Sequence, residues 1–182
     1  PPVTPQPFPR KAQKLNFIGG DQVLLVGDGL IEQAQKQSYL EYRITVQNSG
    51  KKLHFHNIGW SGDTPRGVSR AGLSLLQAGR EPDGEGWKQL QKQIELVKPT
   101  VVFLGYGMAC SFENQSEQFI RDMRALKVAI RKSAGGPVRF VVLSSLRHEQ
   151  LAGGLPSPAA HNRQLAAYTK ALNTMAEVDG DY

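Results

Sequence analysis

Apolar residues fall along this chain in two rhythms. Gln22–Val26, Thr100–Gly105 and Val138–Ser144 are short, mostly apolar runs, and Leu53–Ile58 is a further strand-like run closed by Gly59. Such runs are expected of strands in a parallel sheet that is buried on both faces. Between them the apolar positions recur at helical intervals. Trp87, Leu90, Ile94 and Val97 make one stripe, and Phe119, Met123, Leu126 and Ile130 make another. The pattern predicts helices over 30–37, from Asp63 to about Gln77, over 87–97 and over 114–133. A last helix opens at Ser157-Pro158, read as an N-cap and a proline at the first helical position, and runs to about Ala176. Residues 38–48 are ambiguous: Leu40, Tyr42, Ile44 and Val46 alternate like a strand, but the Glu/Arg content suits a helix. Arg80–Gly86 reads as a loop, Pro99 stops the helix before it, and Gly135-Gly136-Pro137 breaks the chain.

Strands alternating with amphipathic helices define a three-layer α/β/α domain with a parallel sheet, here spanning residues 15–182. Ligands of such sheets bind at the strand C-termini, near the point where the strand order reverses. Three of these ends are Gly-rich: 27–29, 59–62 and 105–107. Residues 1–14 are set apart from the domain. The first nine carry five of the eleven prolines and no charge, and read as a linker or a mature N-terminus. A Pro-rich start without Met is what signal removal would leave, and a trimmed chain would look the same. The expectation drawn from it is a secreted or periplasmic protein.

Composition removes several classes. One cysteine among 182 residues, Cys110, allows no intramolecular disulfide and no Cys-rich metal cluster. No apolar run approaches the ~20 residues of a membrane span. The net charge of +6 raises the question of nucleic acid. The excess sits in Arg10, Lys11 and Lys14, and around one helix with Arg121, Arg124, Lys127, Arg131, Lys132 and Arg139. Arg121, Arg124, Arg131 and Lys132 project opposite the apolar stripe and read as a solvated face, and no aromatic residues interleave with the charges to stack on bases, so no nucleic-acid partner is expected.

Taken together, the strand-end loops resemble one family. Gly27-Asp28-Gly29 is similar to the Gly-Asp-Ser block of the SGNH (GDSL-type) hydrolases. Asn57-Ile58-Gly59-Trp60-Ser61-Gly62-Asp63-Thr64 resembles their Asn-x-Gly-x-x-Gly block. Gly107-Met108-Ala109-Cys110 falls where Gly-x-Asn-Asp is expected. Longer stretches, NIGWSGDT, KPTVVFLGYGM and Arg147-His148-Glu149, resemble a branch frequent in planctomycete-type bacteria. The resemblance implies a flavodoxin-like sheet in the order 2-1-3-4, with a fifth strand beyond strand four. It also implies ester hydrolysis, often of acetyl groups on carbohydrate, without a cofactor. A serine of the first block attacks, and a His held by Asp in a late Asp-x-x-His block takes its proton. The oxyanion would meet the backbone N–H at position 29, the Gly59 N–H and an Asn side chain at position 109.

The chain departs from that pattern where the chemistry is done. Position 29 is glycine, position 109 is alanine, the neighbouring acidic position is Cys110, and the late block is not found. Asp179-Gly180-Asp181-Tyr182 reads as a turn toward the fifth strand, which is expected to be missing from this chain, so the outer side of strand four is expected to be unpaired unless a strand comes from elsewhere. The retained cleft and oxyanion positions are Asp28, Gly29, Asn57, Gly59, Trp60, Gly62 and Gly107. Substitutes for the lost groups are Cys110, Ser61 and His161, with Ser111 in the same set of loops. Each also has a plain structural reading: a partly buried thiol, turn serines, and a first-turn helix residue. His54 and His56 share a strand face, as metal ligands can, but no third ligand has suitable spacing. Arg147 and His148 follow the fourth strand, either in a solvated loop or facing the cleft. The leading expectation is a hydrolase-like domain without catalysis that binds a carbohydrate or acylated ligand, or another domain or subunit. Relatives joined to haem-containing dehydrogenase-like domains suggest the latter. The alternative is an active esterase on carbohydrate esters in which Gly29 is an engineered change or the nucleophile is displaced, with its His and Asp in another segment.

Overall fold

A computed structural model describes residues 14–71, 83–151 and 155–182. Strands β1 (Gln22–Gly27), β2 (His54–Asn57), β3 (Val101–Gly105) and β4 (Arg139–Val142) form one parallel sheet in the order β2-β1-β3-β4. In register, Val23 lies opposite Phe55 on one side and Val101 on the other, and Val101 lies opposite Arg139. The chain leaves β1 for β2 on one flank and returns to β3 on the other, so the order reverses between β1 and β3.

Successive residues of β1 and β3 serve opposite layers, because side chains alternate along a strand. Leu24, Val26, Val102 and Leu104 pack with α3 (Asp83–Val97), α4 (Ser116–Ala134) and α5 (Ala159–Asp179) through Leu90, Ile94, Met123, Leu126, Tyr168 and Leu172. Val23, Leu25, Val101 and Phe103 pack with α1 (Gly29–Gln37) and α2 (Tyr39–Gln47) through Ile31 and Ile44. Both faces of the central strands are therefore covered. Each fully buried aliphatic side chain there contributes on the order of 1.5–3 kcal/mol.

Several expectations are corrected. The ambiguous 38–48 stretch is helix α2, with Ile44 buried while Tyr42 and Val46 face solvent. The helix expected from Asp63 is instead a series of turns leading to a 3₁₀ turn at Val68–Ala71, and its 72–77 part lies outside the described residues. Arg70 folds back to pair with Asp63, which shapes this segment as a compact loop. Residues 83–86, expected in a loop, form the first turn of α3.

The outer side of β4, expected to be unpaired, is bridged at one residue. Gly180 ends α5 in the left-handed conformation (φ 70°). Tyr182 then donates its N–H to Phe140 O at 3.0 Å and accepts from Val142 N–H at 2.9 Å. That is the pattern of a parallel bridge opposite Val141. Lys127, which shares its helix with that basic face, is buried at 1% exposure. Its ammonium bonds Asp179 at 2.7 Å and also Asp181, clamping the turn that delivers Tyr182.

Candidate ligand cleft at the strand ends

Asp28 ends β1 and caps α1, and its buried carboxylate joins two strand-end loops. One oxygen accepts from the N–H groups of Gly107, Met108 and Ala109 at 3.2, 3.0 and 3.4 Å. The other faces the Leu30 N–H at 3.5 Å. Burial raises its pKa, and the backbone donors oppose that rise. Gly107 sits in this turn at φ +135°, with Ser145 Oγ 2.5 Å from where a β-carbon would lie. No other residue fits there.

Gly59 is fixed by a different contact. A β-carbon on it would lie 2.4 Å from the Glu32 nitrogen at the start of α1. Its N–H donates to Asn57 Oδ1 at 2.9 Å, while Asn57 Nδ2 donates to Ile31 O at 2.9 Å. The amide that the resemblance assigns to an oxyanion is thus already bonded. Gly29 is unlike both. Among the described residues, and apart from its chain neighbours and its own helix backbone, the single atom within 4 Å of its would-be β-carbon is Ser61 Oγ, at 3.3 Å. The position has room for a side chain and carries none.

Behind this loop, Asp63 and Arg70 form a buried pair at 2.7 Å. Arg70 also donates to Gln93 Oε1 and to Ile58 O, and lies 5.8 Å from the Trp60 ring centre. Burial raises the Asp63 pKa against the pull of Arg70. The pair buttresses the Gly59–Gly62 loop from below and leaves Trp60 half exposed.

Cys110 lies beside this assembly with its thiol pushed up to about 12, first by burial and then by the negative charge of Asp28. It is a poor source of thiolate. His161 does meet a serine, but that serine is Ser111. Its Oγ lies 2.7 Å from His161 Nε2 and 2.8 Å from Met108 O, and His161 Nδ1 lies 2.7 Å from His148 Nε2. The Met108 carbonyl only accepts, so Ser111 donates its one proton there. His161 Nε2–H then donates to Ser111, and its bare Nδ1 accepts from His148. This polarity satisfies all three contacts and leaves His161 unable to take the Ser111 proton. Ser111 is also fully buried, out of reach of a substrate.

A cavity of about 360 Å³ opens beside Gly29, lined by Asp28, Leu30, Gly105, Met108, Ser145 and Leu146 among others. Its wall is mostly apolar. Ser145 Oγ is buried and has no hydrogen-bond partner among the described residues.

The fold therefore gathers Asp28, Gly29, Gly59, Ser61, Gly107 and Ala109 at one place. His161 is engaged by Ser111 and His148. His54 is exposed, and His56 bonds Gln22 Oε1 at 3.1 Å. No group of three or more His, Cys, Asp or Glu able to hold a metal occurs among the described residues. Sequence reasoning missed the His148–His161 contact and the grip of Asn162 on His148. Its one signal was the placement of His148 just after strand four and of His161 at a helix start.

No family model matches the sequence, and neither does any curated protein. Solved structures do match in fold. A catalytic mutant of Axe2, an acetylxylan esterase from Geobacillus stearothermophilus, aligns with TM-score 0.64 at 12% identity over 92% of this chain and 76% of its own. TesA aligns with TM-score 0.58 at 16% identity over 87% and 74%. A gut microbial diltiazem-metabolizing enzyme aligns with TM-score 0.62 at 16% identity over 91% of this chain, which spans 36% of that enzyme. The fold they share with this chain is that of the SGNH hydrolases. No helix among the described residues is long and apolar enough to cross a membrane.

Proposed function

We propose that this chain uses an SGNH-hydrolase fold to bind a ligand without cleaving it. The observation that carries the reading is position 29. It has space for a nucleophile's side chain and holds none, while the structurally demanding glycines around it are kept. Three further features support it. The Gly59 N–H is taken by Asn57, Ala109 has no side-chain donor, and His161 is committed to Ser111 and His148. The cavity beside Gly29 offers an apolar wall and one free buried hydroxyl, on Ser145. An ester of a carbohydrate, with its acyl group against Leu30 and Leu146, suits that lining, and the acetylxylan esterases of like fold point the same way. An extracytoplasmic setting and a larger assembly that includes this domain belong to the same proposal.

One observation favours an esterase instead: Ser61 Oγ lies close to where a nucleophile on residue 29 would begin. No base contacts it among the hydrogen bonds of the described residues.

A fluorophosphonate probe separates the two readings. It phosphonylates an activated serine with loss of fluoride. Intact-mass spectrometry after an hour with the probe should return the unmodified mass. A stoichiometric adduct mapped to Ser61 or Ser111 would overturn the proposal.

A further inference from the structure

We propose that His148 and His161 form a proton-operated latch, which holds the 143–151 segment closed as the outer wall of the cleft and releases it on acidification. Three strand-end elements meet at this pair. His148 comes from the segment after β4, whose Ser144, Ser145 and Leu146 line the cavity. Ser111 and Phe112 come from the 3₁₀ turn after β3 (Cys110–Glu113), and His161 comes from the first turn of α5. The Phe112 and His161 rings stack with centres 4.0 Å apart. Asn162, next on α5, grips the His148 backbone in both directions: its Oδ1 accepts from His148 N–H and its Nδ2 donates to His148 O, each at 2.9 Å.

Protons set the state of the latch. In the chain His148→His161→Ser111→Met108, every donor meets an acceptor. A proton on His148 Nδ1, which makes no hydrogen bond among the described residues, leaves the chain intact. A second must go to His161 Nδ1, which then turns from acceptor to donor and faces the His148 N–H. The contact at 2.7 Å then becomes a repulsion between two cations. Burial, and then the charge of His148, lower the His161 pKa, so the second step falls below the ordinary histidine range. The charged neighbours Arg147 and Glu149 on the segment, Glu113 on the 3₁₀ turn and Arg163 on α5 enter none of the ion pairs of the described residues. Asn162 does not titrate. Acid therefore loosens this wall while the sheet stays folded.

Hydrogen–deuterium exchange needs no ligand and so is independent of the binding proposal. Exchange of residues 143–151, corrected for the intrinsic pH effect, should rise about fivefold or more between pH 7.5 and pH 4.5, with β1 and β3 unchanged. His148→Gln keeps a side-chain donor for His161 but removes the second charge, and its corrected exchange should be flat with pH. Asn162→Ala should open more at both pH values and keep the acid response. A flat profile in the unmodified chain would overturn the latch, as would an acid response that survives in His148→Gln.

Discussion

Positions 29 and 59 are both glycine, and enlarging them has opposite consequences. Gly59 backs onto the first turn of α1, so Gly59→Ala drives a methyl into backbone and should cost about 3 kcal/mol through forced displacement. Gly29 opens α1 with only the Ser61 hydroxyl near, so Gly29→Ser should stabilise by a few tenths of a kcal/mol, about what replacing glycine in a helix yields. Urea unfolding of the two variants checks both signs. Asp28 is the third residue of this set. Asp28→Ala strands buried loop N–H groups and should cost about 3 kcal/mol, whereas in Asp28→Asn the amide oxygen retains most of them. Folding raises the Asp28 pKa, so its contribution is full below the unfolded value and declines as pH rises through the folded one. These positions were legible in the sequence because glycine and aspartate at strand ends obey local backbone rules. The His148–His161–Ser111 cluster was not. Its members are distant in sequence, and only the docking of α5 brings them together.

At the scale of elements, the joint between α4 and α5 rests on Lys127. Its buried ammonium sits between Asp179 and Asp181, 5.2 Å from the Phe140 ring centre. Lys127→Ala leaves the buried Asp181 without its cation and Asp179 with only the half-exposed Arg124, and should cost about 3–5 kcal/mol. Burial alone would raise the Asp179 pKa, but Lys127 and then Arg124 hold it below the usual value. Stability from this group is therefore present above the ordinary carboxylate pKa and lost as pH falls through the lowered one. Thermal melts from pH 7 to pH 2.5 should show that loss in the unmodified chain and a shallower one in Lys127→Ala. Periodicity showed α4 and its buried stripe, but Lys127 was hidden among basic neighbours on the same helix. Segment 38–48 stayed ambiguous for a related reason: four alternating apolar residues imitate a strand, yet of the four only Ile44 is buried. Between Asp63 and Arg70 a tertiary ion pair overrides the helical pattern.

For the molecule as a whole, the sheet was the most legible feature. Strands covered on both faces must be apolar throughout, as β1 and β3 nearly are, and four strand-like runs with helices between them leave few topologies. The order β2-β1-β3-β4 places Asp28, Gly29 and Gly107 at the reversal point, where such sheets bind ligands. What the sequence could not show is how much of that cleft is already satisfied from within, by Asn57 on Gly59 and by His148 on His161. The central claim is that this cleft binds without turnover, and one NMR experiment addresses both halves. An acetylated xylo-oligosaccharide is incubated with the protein while saturation transfer to the sugar and release of free acetate are followed in the same sample. The account predicts saturation transfer to the acetyl methyl, weakened by Ser145→Leu in the cavity wall, with acetate at the protein-free rate. Acetate released well above that rate and abolished by Ser61→Ala would contradict it, as would the absence of any saturation transfer.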